Sequence, residues 1–264
     1  MSFNKSNIIQ LIIIVLITSL IGILINNLLI NLIRSDMGIS YNWIFQSSGF
    51  AISESTIPIK STDSYALVLL TGWINSIKVI ITGLILASLI GTLFGVCSIS
   101  KNILLRFISF IYVSIARQVP LLIQLLFWYF VVLLPISRNP IHIMNSWIII
   151  SNQNISLGSI NLSVEFSALV IGLSIFTGAS IAEVIRGGIN SVYKGQWEAY
   201  QSLGMSEFLG LRKIIFPQSL HAIIPGLTSQ YLNLAKNTTL AIAIGYPDIY
   251  AISDTTITQT GRAI

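Results

Sequence analysis

Apolar residues gather in long runs along this chain, and polar residues gather between the runs. Residues 8–32 form the first run, 77–98 the second, 104–134 the third and 166–185 the fourth. A weaker fifth covers 218–235 and contains Pro225. About 20 apolar residues cross the ~30 Å of hydrocarbon in a bilayer, so each run is long enough to span. As one straight helix, 104–134 would reach about 46 Å, and Pro120 removes a backbone donor inside it. The expectation is a break there: 104–116 becomes a short helix at the inner surface and 120–134 the spanning one. That division puts Lys101, Arg106 and Arg117 on one side.

The intervening segments differ in legibility. Residues 34–67 read as a polar outer loop with Asp36, Glu54 and Asp63. Residues 135–165 form a second outer segment with Arg138, Pro140 and a Leu157-Gly158-Ser159 turn, and their pattern assigns no element. Beyond 235 come Lys236-Asn237-Thr238-Thr239 and a short apolar piece ending at Gly245-Tyr246-Pro247. About 18 residues after Pro217 give ~27 Å of rise, which places Lys236 at the outer boundary. There it would snorkel to headgroups, or attract a carboxylate or an acidic protein surface. Lys5 precedes an apolar run too long for a signal peptide and without an A-x-A-like exit, so the first run stays as a helix.

Composition agrees with a polytopic membrane protein. Hydrophobic residues make up 54% of the 264-residue chain, and mean hydropathy is +0.83; about 45–50% apolar is usual in soluble domains. With 9% charged residues, the excess of 14 basic over 9 acidic side chains sets topology and gives no reason to expect nucleic acid as a partner. An N-terminus inside puts Lys5, Lys101, Arg106, Arg117, Arg186, Lys194, Arg212 and Lys213 in short inner segments. Cys97 has no partner for a disulfide and reads as a packing residue. His142 and His221 lie far apart, so no metal site is expected. Acidic residues at catalytic spacing are missing, and no G-x-x-x-x-G-K-[ST] run supplies an ATP site. The class is an all-α polytopic membrane protein that is not an enzyme.

One loop holds an unusual share of the charge. Glu198–Pro217, EAYQSLGMSEFLGLRKIIFP, lies between two apolar runs, with Lys194 and Arg186 at its edge. Two short helices are expected, one over 195–203 with Glu198 near its positive end, the next capped by Ser206. Gly204 supplies the left-handed residue between them. Glu207 would begin the second, Arg212 and Lys213 would close it, and Pro217 would mark entry to the next membrane helix. Such a knob could transmit force; a capped connecting loop reads equally well on composition.

The spacing Glu198-Ala199, Gly204 and Ile214-x-Phe216-Pro217 resembles the EAA loop of ABC importer permeases. Glu183-Val184-Ile185-Arg186-Gly187-Gly188-Ile189, Lys194-Gly195-Gln196-Trp197, Arg117-x-x-Pro120-Leu121-Leu122 with Gln124-Leu125, and Leu234-Ala235-Lys236-Asn237-Thr238-Thr239-Leu240 resemble the polar amino-acid branch of that family. Ser48-Gly49-Phe50, Ile57-Pro58 and Asp63-Ser64-Tyr65 resemble the larger general L-amino-acid subgroup, with its additional N-terminal helix. The resemblance runs over 45–264. It implies a type I permease-like bundle: 1–67 as the added helix and outer loop, 68–264 as the permease core, and 187–217 as a cytoplasmic coupling loop.

By that resemblance Glu198, Ala199, Gly204, Ile214 and Pro217 engage a partner ATPase, which binds the ATP and Mg while this chain holds no cofactor. A second permease subunit, same or sister, an external amino-acid-binding protein and an L-amino acid are the other implied partners. The implied location is the bacterial inner membrane. Tyr193 and Tyr200 stand where the family usually has Pro and Ala, and the bulk of Tyr200 would alter the ATPase contact. The family continues from Gln259-Thr260-Gly261 into one more membrane helix, so the chain as given reads as lacking its last span. A truncated, non-functional remnant is the second reading, and a secondary transporter or channel the third.

Polar residues inside the membrane are costly and mark candidate function. Gln230, Asn233 and Asn237 share one helical face, and with Gln124 they are candidates for the substrate path; hydrogen bonding between helices is the alternative. Glu183 and Arg186, three apart, read as a structural ion pair, with substrate contact the alternative. Arg117, beside Pro120, reads as an anchor at the inner interface. Gly172, Gly178 and Ser180 permit close approach of a neighbouring helix, in this chain or in a second copy.

Overall fold

Ser64 sets the start of the central helix. Its hydroxyl accepts from the Leu67 amide, and the helix α2 (Tyr65–Ser98) runs unbroken for 34 residues, about 51 Å. It begins twelve residues before the apolar run because the cap, not the hydropathy, decides where a helix starts. A computed structural model of the chain describes residues 5–34, 41–55, 57–136, 141–143, 148–151, 154–158 and 160–261. The expectations attached to Asp36, Arg138, Pro140 and Ser159 lie outside the described residues.

Helix α1 (Lys5–Arg34) is a single apolar rod whose large side chains from Ile8 to Ile30 stay exposed. The helix α5 (Val164–Asn190), capped by Ser163, packs parallel to α2. A Cβ added at Gly91 would lie 2.5 Å from Ile181, and one at Gly95 2.9 Å from Ile185, so glycine is what lets the two backbones approach. Gly172 and Gly178 of α5 are likewise filled from within the chain, by Leu125 and by Tyr112 with Ile90. Their small size serves this bundle's own packing. Ser180 bonds back to the Phe176 carbonyl.

The break at Pro120 is an elbow. Helix α3 (Ile103–Gln118) and the following segment meet at 101°; α4 (Leu121–Leu126) continues as a π-helical stretch, Phe127–Leu133. Among the described residues three helices are long and apolar enough to cross a membrane, and four if this bent pair is one span. The segment 135–165, where the pattern showed no element, contains a small antiparallel meander: β1 (Ile141–Ile143), β2 (Ile148–Ile150), β3 (Asn154–Leu157) and β4 (Ile160–Ser163), in that order. Ile141 faces Ile150, Ile148 faces Leu157 and Ile155 faces Leu162. Strands of three or four residues are too short to show a period in the sequence. β4 leads straight into α5, so the meander stands at the end of the bundle where α2 begins.

The fifth expected span is divided. Helix α8 (Phe216–Asn237) brings Leu234 against Gly83, near the middle of α2, so Lys236 lies at mid-bundle and not at an outer boundary. A 3-10 segment, Thr238–Ile244, follows, and Gly245 turns the chain at φ +76. Asp248 then caps α9 (Ile249–Thr260). α9 continues along the first half of α2: Ile252 and Asp248 close on Gly72, and Tyr65 Oη reaches Gln259 at 3.4 Å. Rise per residue measured only the first piece of a two-piece crossing.

Two apolar cores result. One, with Val79, Leu125, Phe166, Leu173 and Tyr246, lies toward the meander. The other, with Ala87, Ile181, Ile215, Ile223 and Leu234, extends to Val192 and Tyr200 beyond the end of α5. That second core joins the charged loop to the bundle.

Candidate functional site

The charged loop folds as a knob at the end of the bundle where α2 and α5 finish. Helix α6 (Lys194–Ser202) comes first. The Met205 amide bonds the Tyr200 carbonyl and the Gly204 amide that of Gln201, with Gly204 at φ +67. These are the two bonds of a Schellman stop, which needs a left-handed residue. Glu198 is the fifth residue of α6, past the first turn, so the helix-dipole role expected of it does not apply. Its carboxylate is exposed, as are Ala199 and Gly204.

The second half of the loop departs from the expected pair of short helices. Helix α7 (Glu207–Gly210) passes through a π turn, Leu211–Ile215, directly into α8. The Phe216 amide bonds the Leu211 carbonyl five residues back. The extra residue in this turn accommodates Pro217, which has no amide to donate and a ring that clashes in a regular helix. Arg212 and Lys213 therefore sit inside a continuous helix, not at its end. Ile214 is half-buried under it and Pro217 exposed. Glu207 ties α7 to the α2–α3 turn through Lys101, 2.7 Å away, and this pairing holds the lysine's pKa above 10.5.

Tyr200 is not on the knob's surface. It is 2% exposed, tilted against the Trp197 ring and seated over Gly210, so its bulk does not reach an outside contact. The most exposed apolar side chains here are Tyr193, Leu203 and Phe208. With Glu198, Ala199 and Gly204 they make the outer surface of the knob.

The lever that begins at the knob carries polar groups toward mid-bundle. His221, Thr228, Ser229, Asn233 and Lys236 are exposed on α8, and Gln230 and Asn237 are half-buried. Among the described residues the side chains of Gln230, Asn233, Lys236 and Asn237 have no hydrogen-bond or salt-bridge partner. Such groups facing lipid would be costly, so this face belongs against water or protein.

Gln124 has another task. It is buried, and its Nε2 donates to the Ala116 and Val119 carbonyls at 2.7 and 2.9 Å, closing backbone groups that the Pro120 elbow frees. Its amide nitrogen thereby braces the elbow. Glu183 and Arg186 form a two-pronged pair, Nε to Oε2 at 3.0 Å with Nη2 on Oε1, as their spacing anticipated.

A further polar cluster was not legible in the sequence. Glu54, in the loop before α2, pairs with Lys78 at 3.3 Å and with the Ser163 hydroxyl, while Lys78 lies 4.5 Å over the Phe166 ring. The Glu54 carbonyl also accepts from Asn75 Nδ2 at 2.9 Å. The loop is thereby clamped to α2 and α5. Lys78 in an apolar run was the available signal. Among the described residues, no group of three His, Cys, Asp or Glu could hold a metal ion.

Comparison with known proteins agrees with this architecture. Residues 80–261 match the family described as "Binding-protein-dependent transport system inner membrane component". The chain is 31% identical, over 97% of its length and 86% of the relative's, to the putative amino-acid ABC transporter permease protein YhdX of Escherichia coli K12. It is 30% identical, over 97% and 84%, to the general L-amino acid transport system permease protein AapQ of Rhizobium johnstonii. Among solved structures, one described as an amino acid ABC transporter with histidines superposes with a TM-score of 0.58. Identity there is 27%, covering 75% of this chain and 81% of that one. An inward-facing MetNI methionine ABC transporter shares the fold at a TM-score of 0.55 and 17% identity, over 75% and 83%. With a helix bundle of membrane-crossing length and a family match over most of its residues, this chain is a member of the binding-protein-dependent transport system inner membrane components.

Proposed function

We propose that this chain is the permease subunit of an ATP-driven importer for polar or general L-amino acids. The observation that carries the reading is the unbroken helix from Glu207 to Asn237, which links an exposed docking knob to an unpartnered polar face at mid-bundle. A partner ATPase closing on ATP would press on Glu198, Ala199 and Gly204, and the lever through Ile214 and Pro217 would move α8. Gln230, Asn233 and Asn237 would line the path with uncharged amides, which bind a zwitterion without trapping it. A second permease subunit, same or sister, would close the other wall.

In this reading the knob end is cytoplasmic, the N-terminus is cytoplasmic, and the meander end receives substrate from an external binding protein. Residues 1–67 are the added helix and outer loop and 68–264 the permease core, although α2 begins at Tyr65 and the Glu54 clamp binds the loop to that core. The relatives' printed names, an amino-acid ABC transporter permease and a general L-amino acid permease, support the substrate class.

The test is co-purification of the chain with its candidate ATPase, wild type against Gly204→Asp. A Cβ at Gly204 meets no atom within 4 Å, so the variant changes the docking surface and adds only the backbone cost of a left-handed residue. Loss of the ATPase with the variant alone is the expected result. Retention by both removes the knob from the mechanism.

A further inference from the structure

A cavity of about 680 Å³ opens between α3 and the last turns of α5. Its charged lining is Arg106, Arg117, Glu183 and Arg186, Ser114 is among its neutral polar groups, and Phe110 and Val113 among its apolar ones. Three arginines against one glutamate leave an excess of two positive charges. Glu183 is already held by Arg186, and Arg117 reaches it only at longer range. Among the described residues Arg106 and Arg117 have no salt-bridge partner, and the Ser114 hydroxyl has no hydrogen bond.

The position of Arg106 and Arg117 is regular. Eleven residues separate them, close to three helical turns, so they stand on one face of α3 at the two ends of the groove. The α8 lever lies on another side of α5. Val184 and Gly188 pack against Gly226 and Ile223 of α8, whereas Ala182 and Arg186 line the cavity. Two residues along a helix turn about 200°, so the cavity faces away from the polar stripe of α8. Beside it α3 exposes Ile103, Leu104, Phe107, Ile108 and Ile111, a surface suited to acyl chains.

We infer that this groove binds the headgroup of an anionic phospholipid, with Arg106 and Arg117 as the cations at its two ends and the acyl chains lying on the exposed face of α3. Guanidinium pairs with phosphate through two parallel hydrogen bonds, and basic pockets between membrane helices hold such headgroups. The site is separate from the proposed transport path, and its occupancy does not depend on that proposal.

The experiment is native mass spectrometry of the full chain released from nanodiscs containing phosphatidylglycerol or cardiolipin with phosphatidylethanolamine. Wild type should retain one anionic lipid, and Arg106→Gln and Arg117→Gln should each weaken retention about fivefold. Ser114→Phe, which fills the groove without removing a charge, should also release the lipid. Lys236→Gln, an exposed cation on α8, should change nothing. Unchanged retention in the arginine variants would overturn the assignment. So would displacement of the lipid by millimolar inorganic phosphate, because the groove would then be a free-anion site.

Discussion

The Tyr200 ring lies so close over Gly210 that a methyl group there would meet Cδ2 at 2.4 Å and Cγ at 2.6 Å. A phenol ring buried in the knob of the loop is tolerated because its neighbour has no side chain. Gly210→Ala should therefore cost about 1–3 kcal/mol by overpacking. Tyr200→Ala should open a cavity and cost a similar amount or more. The double variant should cost clearly less than the two added, because the new methyl occupies space the ring has left. Thermal unfolding of the four proteins in detergent reads the coupling; simple additivity would separate the pair.

The contact between α2 and α5 admits a contrast within one helix. A Cβ at Gly91 would lie 2.5 Å from Ile181 and 2.9 Å from the Gly178 carbonyl, whereas at Gly83 its nearest neighbour is Leu234 at 3.5 Å. Gly91→Ala is expected to lose about 1–3 kcal/mol. Gly83→Ala is expected to be neutral or gain up to about 1 kcal/mol from helix propensity. Unfolding midpoints in the same detergent would show a drop for Gly91→Ala and none for Gly83→Ala.

The Glu54 clamp predicts local loosening. Lys78→Met removes the ammonium that Glu54 faces at 3.3 Å but leaves the helix's apolar packing. The loss should be about 1–2 kcal/mol, concentrated in the loop before α2. Hydrogen exchange at the Ser48 and Gly49 amides, which bond the Asp63 and Ser61 carbonyls, should accelerate while α5 stays protected. Uniform acceleration along the chain would instead mean that the pair supports the whole bundle.

Lys101 and Glu207 give a prediction in pH. Glu207 raises the lysine's pKa, so from neutral pH up to 10.5 the pair's contribution is full, and it is lost as the lysine deprotonates at higher pH. Across the neutral range stability should stay flat. Lys101 is exposed, so added salt should weaken the contact, and Lys101→Gln should abolish that salt sensitivity with little change in unfolding midpoint.

What the sequence revealed divides along physical lines. The α5 span, the elbow at Pro120, the Gly204 stop and the Glu183–Arg186 pair were all legible, because each depends on residues within a few positions of one another. The continuity of α7 into α8 was not: a π turn leaves no periodic mark, and Pro217 read as a boundary when it is an interior residue. Rise per residue assumes an unbroken crossing and so sets Lys236 at the wrong depth. Tyr200 and Gln124 were read from their positions in the chain, while their roles come from Gly210 and from the Ala116 and Val119 carbonyls. Glu54, 24 residues from Lys78, belongs to the same class of long-range pairing.

The two amides Gln124 and Asn233 separate bracing from transport. Gln124→Leu removes the donor from two carbonyls in a buried elbow and should destabilise the chain by about 1–3 kcal/mol. Asn233 is exposed and unbonded, so Asn233→Leu should leave stability within about 0.5 kcal/mol of wild type. If the α8 face lines the path, that same variant should slow uptake about five- to tenfold, the worth of one or two lost hydrogen bonds. Uptake by proteoliposomes of the assembled transporter, normalised to folded protein, measures both. A normal rate for Asn233→Leu together with a tighter or altered pairing of permease subunits would assign the polar face of α8 to the subunit interface.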